Sequence, residues 1–334
     1  MSVTITTSDF GRLPDGTAVA LYTLSTESGL HVSVSTFGGI ITSVRVPDRT
    51  GAPGEVTEAR DTLEEYLEGH PYYGALVGRV CNRISGGGFE LDGTFYPLAA
   101  NAGDLHLHGG VRGFDTYVYD AAPFHDGDRG GVVLTRTSPD GEEGYPGALS
   151  LRYTVTVDEQ MRLLLTFDAE TDRATIVNLT NHCYWNLSSQ PTILDHEVRI
   201  FSDGVAELSG AVPNGRIAPV AGGPFDFTDW KRVGDDIHRL DDTAMGGYDH
   251  SYEVRNRHGS GGEAILREAA EVRATDTGRR MQVRTSYPAV HFYSGNNLTG
   301  ETGRDGSTLA GREALCFECQ YFPDSPHRRE FPSI

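Results

Sequence analysis

The sequence is poor in several things that whole classes of protein require. Cysteine occurs four times in 334 residues, too few for a disulfide framework in a chain of this size. Nowhere does an apolar run approach the ~18 residues that a membrane-spanning helix needs. The opening MSVTITTSDFGRLPDG lacks both the basic start and the apolar run of a secretory signal. Basic residues are scarce as well: 28 Lys+Arg stand against 47 Asp+Glu, a net charge of −19. Such a surface does not hold phosphate backbones or anionic lipid, and it disfavours strongly anionic small ligands. The expectation is a soluble, reduced, cytoplasmic protein that engages no nucleic acid and no membrane. Fixed-period repeats and linker-like composition shifts are also missing. One domain spanning residues 1–334 is therefore expected, although length alone would suggest two.

What is present reads as β structure. Hydrophobic residues make up 38% of the chain, with 15 Tyr and 14 Phe, enough for a sizeable core. The 41 glycines fall between short β-rich runs. Those runs are 17–22, 31–36, 41–46, 131–135, 149–157, 162–169, 175–179, 196–200, 281–285 and 289–293. Turn signals such as Pro14-Asp15-Gly16 and Pro139-Asp140-Gly141 separate them, and 152–167 reads as a hairpin. Helix signals are few: Asp61-Thr62 is placed to cap a short helix carrying Leu63, Tyr66 and Leu67, with Gly69 as its stop. Residues 263–273 have helical propensity but lead into an Asp-Thr-Gly turn, so a strand is expected there. The fold class is all-β, a single large antiparallel β-sandwich with few short helices.

Three segments hold residues suited to chemistry. In Asp104–Gly110, an extended backbone would put His106 and His108 on one face; a polar strand end before a glycine turn explains them equally. A His-x-His pair can bind metal, but no further ligand follows at a spacing that completes a known pattern, so no metal is expected. In Thr175–Asn186, alternation groups Asn178, Thr180, His182, Tyr184 and Asn186 on a face that meets either solvent or a ligand. In Ala314–Asp324, Cys316 and Cys319 stand three apart and face opposite sides of a strand, which argues against chelation by the pair. Cys316, Glu318 and Gln320 share a face instead. A carboxylate in an apolar strand is costly unless paired, which makes Glu318 either a general base or half of a structural salt bridge. Arg79-Val80-Cys81-Asn82-Arg83 suits hydroxyls or carboxylates. Gly246-Gly247-Tyr248-Asp249-His250 sets a carboxylate and an imidazole on a glycine-rich loop; a solvated loop explains either motif more simply.

Taken in order, these segments resemble the aldose 1-epimerases (galactose mutarotases). The resemblance runs from Phe37–Ser43 through Gly74–Ile84, Leu107–Gly110, Asn178–His182, Pro224–Phe227, Tyr248–His250 and Phe292–Asn296 to Glu318–Gln320 and Phe322–Asp324. It implies a β-sandwich with a shallow sugar cleft and no cofactor, acting on a neutral sugar such as galactose or glucose as a monomer or homodimer. By resemblance Glu318 is the base that takes the anomeric proton and His182 the acid that protonates the ring oxygen. His108 is the second histidine near that oxygen, and Asn82, Arg83 and Asp249 bind hydroxyls. His291 stands where the family usually has glutamine and is expected to reach the substrate. Residues 55–61 replace an apolar stretch of the family, so the strand there is expected to be altered or exposed. Trp185 and Cys183 replace a common Phe and a Ser or Thr. The family's last strand is expected to be short or absent beyond Phe331. Recruitment to a modified sugar, or sugar binding without turnover, are the alternative readings.

Overall fold

The computed structural model describes residues 3–255 and 265–334. Two pairs of antiparallel sheets stack face to face. In the N-terminal half, Thr4–Arg12, Ala18–Ser25, His31–Ser35, Ile41–Pro47 and Pro53–Glu55 form a five-stranded meander. A four-stranded meander follows, with Asp120–Asp126, Arg129–Ser138, Leu149–Asp158 and Leu163–Thr171. Leu149, Leu151, Tyr153, Val155 and Val157 are buried at every second position, and they meet Leu24, Val32, Val34 and Val44 of the first sheet in one core. Each such side chain contributes about 1.5–3 kcal/mol by leaving water. Period-two burial on both partners therefore fixes which faces close on each other.

The C-terminal half repeats the plan. One sheet runs Lys231–Arg232, Glu197–Ile200, Arg267–Arg273, Arg280–Thr285; the other runs Val212–Pro219, Gly204–Ser209, Asp249–Glu253, Ala289–Tyr293, Cys316–Gln320. Val198, Ile200, Val272, Tyr252, Val290, Phe292 and Phe317 form the core between them. Trp185 packs against both cores and ties the halves together.

The short helix forms at Leu63–Leu67. Thr62 accepts the Glu65 amide while the Glu65 side chain bonds back to Thr62, a reciprocal cap that satisfies donors a five-residue helix otherwise leaves exposed. The 152–167 hairpin forms with Val157 opposite Leu163. Of the 263–273 segment, residues 267–273 are strand and 263–264 lie outside the described residues.

Three expectations need correction. Thr4–Arg12 is a strand although its sequence shows no apolar alternation. It is an edge strand held by backbone pairing with Ala18–Ser25, and its side chains are mostly exposed. Residues 175–179 are not a strand; only Asn178 bridges, to Val80. The 55–61 segment is not exposed as expected, apart from Asp61 at its end. Glu55 lies opposite Arg45 and accepts from the Val44 amide and the Ser43 and Thr57 hydroxyls. Val56, Thr57 and Ala59 are buried behind it. Hydrogen bonds thus absorb the polar replacement.

Candidate active site

The sheet ending in Cys316–Gln320 carries one face of the site. Pairing places Ser251 opposite His291 and His291 opposite Glu318, with Asp249, Tyr293 and Cys316 in the next row. Directly opposed residues share a face, so Asp249, His291 and Glu318 project together. His250, Phe292 and Phe317 form a row on the other side, and His250 packs on Phe225 with ring centroids 4.4 Å apart. The pairing of Asp249 and His250 read from their loop therefore does not hold: they begin a strand and diverge.

Loops from the facing segments deliver the remaining groups. His182 sits between the short strands Thr180–Asn181 and Tyr184–Trp185, held by backbone bonds to Gly74 and Ala75. Its ring lies nearly parallel to Tyr184 (4.9 Å) and Tyr72 (6.0 Å). The single alternating face read for 178–186 does not form: strand is confined to Thr180–Asn181 and Tyr184–Trp185. Leu179 and Cys183 are as buried as Asn178, Thr180, His182 and Tyr184, and Asn186 is spent on the Gln190, Pro191 and Glu313 carbonyls. His106 and His108 do not share a face. The strand ends at Leu107 and His108 turns to a left-handed φ of 53°, so His106 bonds Ala99 and Tyr145 while His108 reaches Tyr72 and His182. Gly109 makes the turn possible: a Cβ there would stand 1.8 Å from the Gly78 carbonyl oxygen.

His182 Nε2 and Glu318 Oε1 are 3.6 Å apart, with both side chains almost fully buried. That is too long for a hydrogen bond and suits two groups acting on adjacent atoms of something between them. Glu318 Oε2 and Gln320 Nε2 are buried with no hydrogen-bond partner. Orphaned polar atoms of this kind are costly in the resting protein, and these two lie on one strand face with free hydrogen-bonding capacity. Among the described residues His182 is the one ionic neighbour of Glu318, an ion pair only when the imidazole is protonated.

His108, His182 and Glu318 present ligand atoms within 4.8 Å of one another, which raises the question of a metal. The chemistry of His108 answers it. Its Nδ1 accepts the Asn82 amide at 3.2 Å, so the ring proton of the neutral imidazole is on Nε2, a donor and not a lone pair. Burial holds His108 well below the usual histidine range, with His182 and Arg83 adding to the effect. The ring therefore stays neutral and offers one N–H.

Arg83, Asn82 and Asp249 form a connected network beside the His182–Glu318 pair. Arg83 Nη2 pairs with Asp249 Oδ2 at 3.1 Å, and the Arg83 amide donates to Asn82 Oδ1 at 3.0 Å. Burial alone would raise the Asp249 pKa, but Arg83 and the His291 hydrogen bond outweigh it and hold the carboxyl well below its ordinary range. Asp249 is thus a fixed anionic acceptor. His291 does not reach outward: both ring nitrogens are taken, by Asp249 Oδ1 at 2.5 Å and Ser251 Oγ at 2.8 Å.

Arg79 departs from its sequence reading. It is 2% exposed and donates to the Pro146 and Gly147 carbonyls at 2.9 Å, as well as to Ser138. It anchors the loop that carries Asn82 and Arg83, its guanidinium spent on these protein acceptors. Arg79→Leu would orphan those acceptors, and a loss of about 2–5 kcal/mol is expected, measurable as a lower denaturant midpoint. Tyr72 was invisible in sequence: it lies in an irregular loop with no periodicity. Tyr72, Asn82 and His108 all have left-handed φ values, of 62°, 61° and 53°, and such strain gathers at functional sites.

With this geometry in view, comparison with known proteins is informative. A family model described as aldose 1-epimerase matches residues 20–334. The chain is 38% identical to the galactose mutarotase of Sus scrofa over 337 residues, covering 99% of this chain and 94% of that protein. It is 31% identical to the aldose 1-epimerase of Escherichia coli K12, covering 96% and 91%. The crystal structure of galactose 1-epimerase from Lactobacillus acidophilus superposes with a TM-score of 0.83 at 28% identity, over 96% of this chain and 91% of that one. The fold and these relatives place the chain among sugar isomerases built on a β-sandwich. The chain belongs to the aldose 1-epimerase family.

Proposed function

We propose that this enzyme interconverts the α and β anomers of a neutral aldose of the galactose and glucose class, with Glu318 as base and His182 as acid. The observation that carries the assignment is the buried 3.6 Å approach of His182 Nε2 to Glu318 Oε1. The anomeric hydroxyl and the ring oxygen are bonded to one carbon, so a base for one and an acid for the other must stand close together. Glu318 takes the hydroxyl proton while His182, in its protonated form, delivers one to the ring oxygen, and the C1–O5 bond breaks. Rotation about the bond to C2 presents the other face of the aldehyde. Reclosure returns both protons, so the enzyme ends as it began. The Nε2–H of neutral His108 is suited to hold the ring oxygen, while Asp249, Arg83 and Asn82 hold hydroxyls.

Charge supports a neutral substrate. The one arginine gathered here among the described residues, Arg83, is already committed to Asp249, which leaves it poorly placed to take a phosphate. A methyl galactoside lacks the free anomeric hydroxyl, so it is expected to inhibit competitively and never to anomerise. A hexose 6-phosphate is expected to compete at least 10-fold more weakly than the free hexose. Exchange NMR between anomer signals, with each compound added in turn, checks both. Anomerisation of the phosphate in preference to galactose would contradict this reading. His291 turns toward Asp249 and not toward the ligand, so it gives no reason to prefer a modified sugar.

A further inference from the structure

We infer that His291 is a positioning residue: it sets the orientation of the Asp249 carboxylate, and through it the sugar affinity of the site. Three observations carry this. First, the sheet register places His291 in a cross-strand row between Ser251 and Glu318, with Asp249 two residues along the strand from Ser251, so the ring is fixed by paired backbone on both sides. Second, the ring is 3% exposed and each nitrogen has one partner. Nε2 donates to Asp249 Oδ1 at 2.5 Å and Nδ1 takes the Ser251 hydroxyl at 2.8 Å. Nothing remains for a sugar. Third, Asp249 has one anchor on each oxygen, His291 on Oδ1 and Arg83 on Oδ2 at 3.1 Å. Two anchors define the carboxylate plane, and the lone pairs they leave are aimed by that plane.

The chain continues from Arg83 to Asn82 and from the Asn82 amide to His108. Ser251, His291, Asp249, Arg83, Asn82 and His108 therefore form one hydrogen-bonded line along the hydroxyl side of the cleft. Without the Nε2–H, Asp249 keeps its charge but loses one anchor, and a carboxylate free to swing satisfies hydroxyls less well. The reaction itself is left to Glu318 and His182. The signature is accordingly a change in KM with kcat nearly preserved. A glutamine side chain also carries an N–H donor and an oxygen acceptor, and it can replace both contacts.

The inference rests on Asp249 binding hydroxyls, and the experiment separates the two. Anomerisation of galactose is measured for the wild type, Asp249→Asn, His291→Leu, His291→Gln, Ser251→Ala and the double variant Asp249→Asn/His291→Leu. Unchanged thermal unfolding is required of each. The expected result is a KM about 10-fold or more higher for His291→Leu, the order of a lost charge-assisted hydrogen bond, with kcat within about 3-fold. His291→Gln restores KM to within about 3-fold of wild type, and His291→Leu adds little once Asp249 is Asn, because coupled residues are not additive. If His291→Leu does not fold, Ser251→Ala carries the test with a smaller rise in KM. A wild-type KM in His291→Leu, or in Ser251→Ala where His291→Leu does not fold, overturns the positioning role. So does a full further loss of affinity in the double variant, or a glutamine variant as weak as leucine. An unchanged KM in Asp249→Asn would instead overturn the role of Asp249 itself.

Discussion

Glu318→Gln is expected to lower kcat for anomerisation by about 10³–10⁴-fold while the protein remains folded. The amide keeps the shape of the side chain, so the strand pairing of Cys316–Gln320 with Ala289–Tyr293 is undisturbed. What it loses is the ability to accept a proton from the anomeric hydroxyl. Stability should not fall, and a modest gain is expected. The carboxylate is 2% exposed with one oxygen unpartnered, an arrangement that costs free energy in the resting protein. Higher melting temperature combined with lost turnover would be the mark of a group kept for chemistry. Stopped-flow polarimetry with thermal unfolding of the same sample reads both.

The second large effect is at the acid. His182→Asn is expected to lower kcat by about 10²–10³-fold. The neighbouring His108 cannot stand in: its Nδ1 already accepts the Asn82 amide, and burial depresses its basicity, so it cannot carry the extra proton. Because acid and base act in one step, the Glu318→Gln/His182→Asn double variant should be little worse than the poorer single one. Multiplied losses in the double variant would mean that the two groups act independently. Single-turnover rates for the set of three distinguish these outcomes.

Much of this site is written in the sequence, for reasons that differ by element. Glu318 stood out because a strand face carrying Cys316, Glu318 and Gln320 needs partners that an apolar strand does not supply, and the structure indeed leaves two of their polar atoms bare. His182 stood out because alternation put too many hydrogen-bonding groups on one side of its segment. Where alternation was extended past a strand's end it misled: His108 lies one residue beyond the strand, so His106 faces elsewhere. Asp249 and His250 were read as loop, but they begin a strand and so point to opposite sides.

Long-range roles were not legible. Arg79 and Arg83 look equivalent four residues apart, yet one is spent on the carbonyls of Pro146 and Gly147 and the other pairs with Asp249. Only tertiary packing separates them. The same holds for His291, whose two partners come from the neighbouring strand Asp249–Glu253, and for Tyr72, whose loop has no pattern to read. The edge strand Thr4–Arg12 escaped because backbone pairing, and not burial, holds it.

The most direct measurement is polarimetry of freshly dissolved α-D-galactose and α-D-glucose with the purified wild-type protein, corrected for the spontaneous reaction. The expected result is first-order decay of rotation to the same equilibrium value, with a rate that rises in proportion to enzyme and a catalytic increment removed by Glu318→Gln. A folded wild-type protein that leaves the spontaneous rate unchanged for both sugars would contradict the assignment of this cleft as an aldose 1-epimerase site.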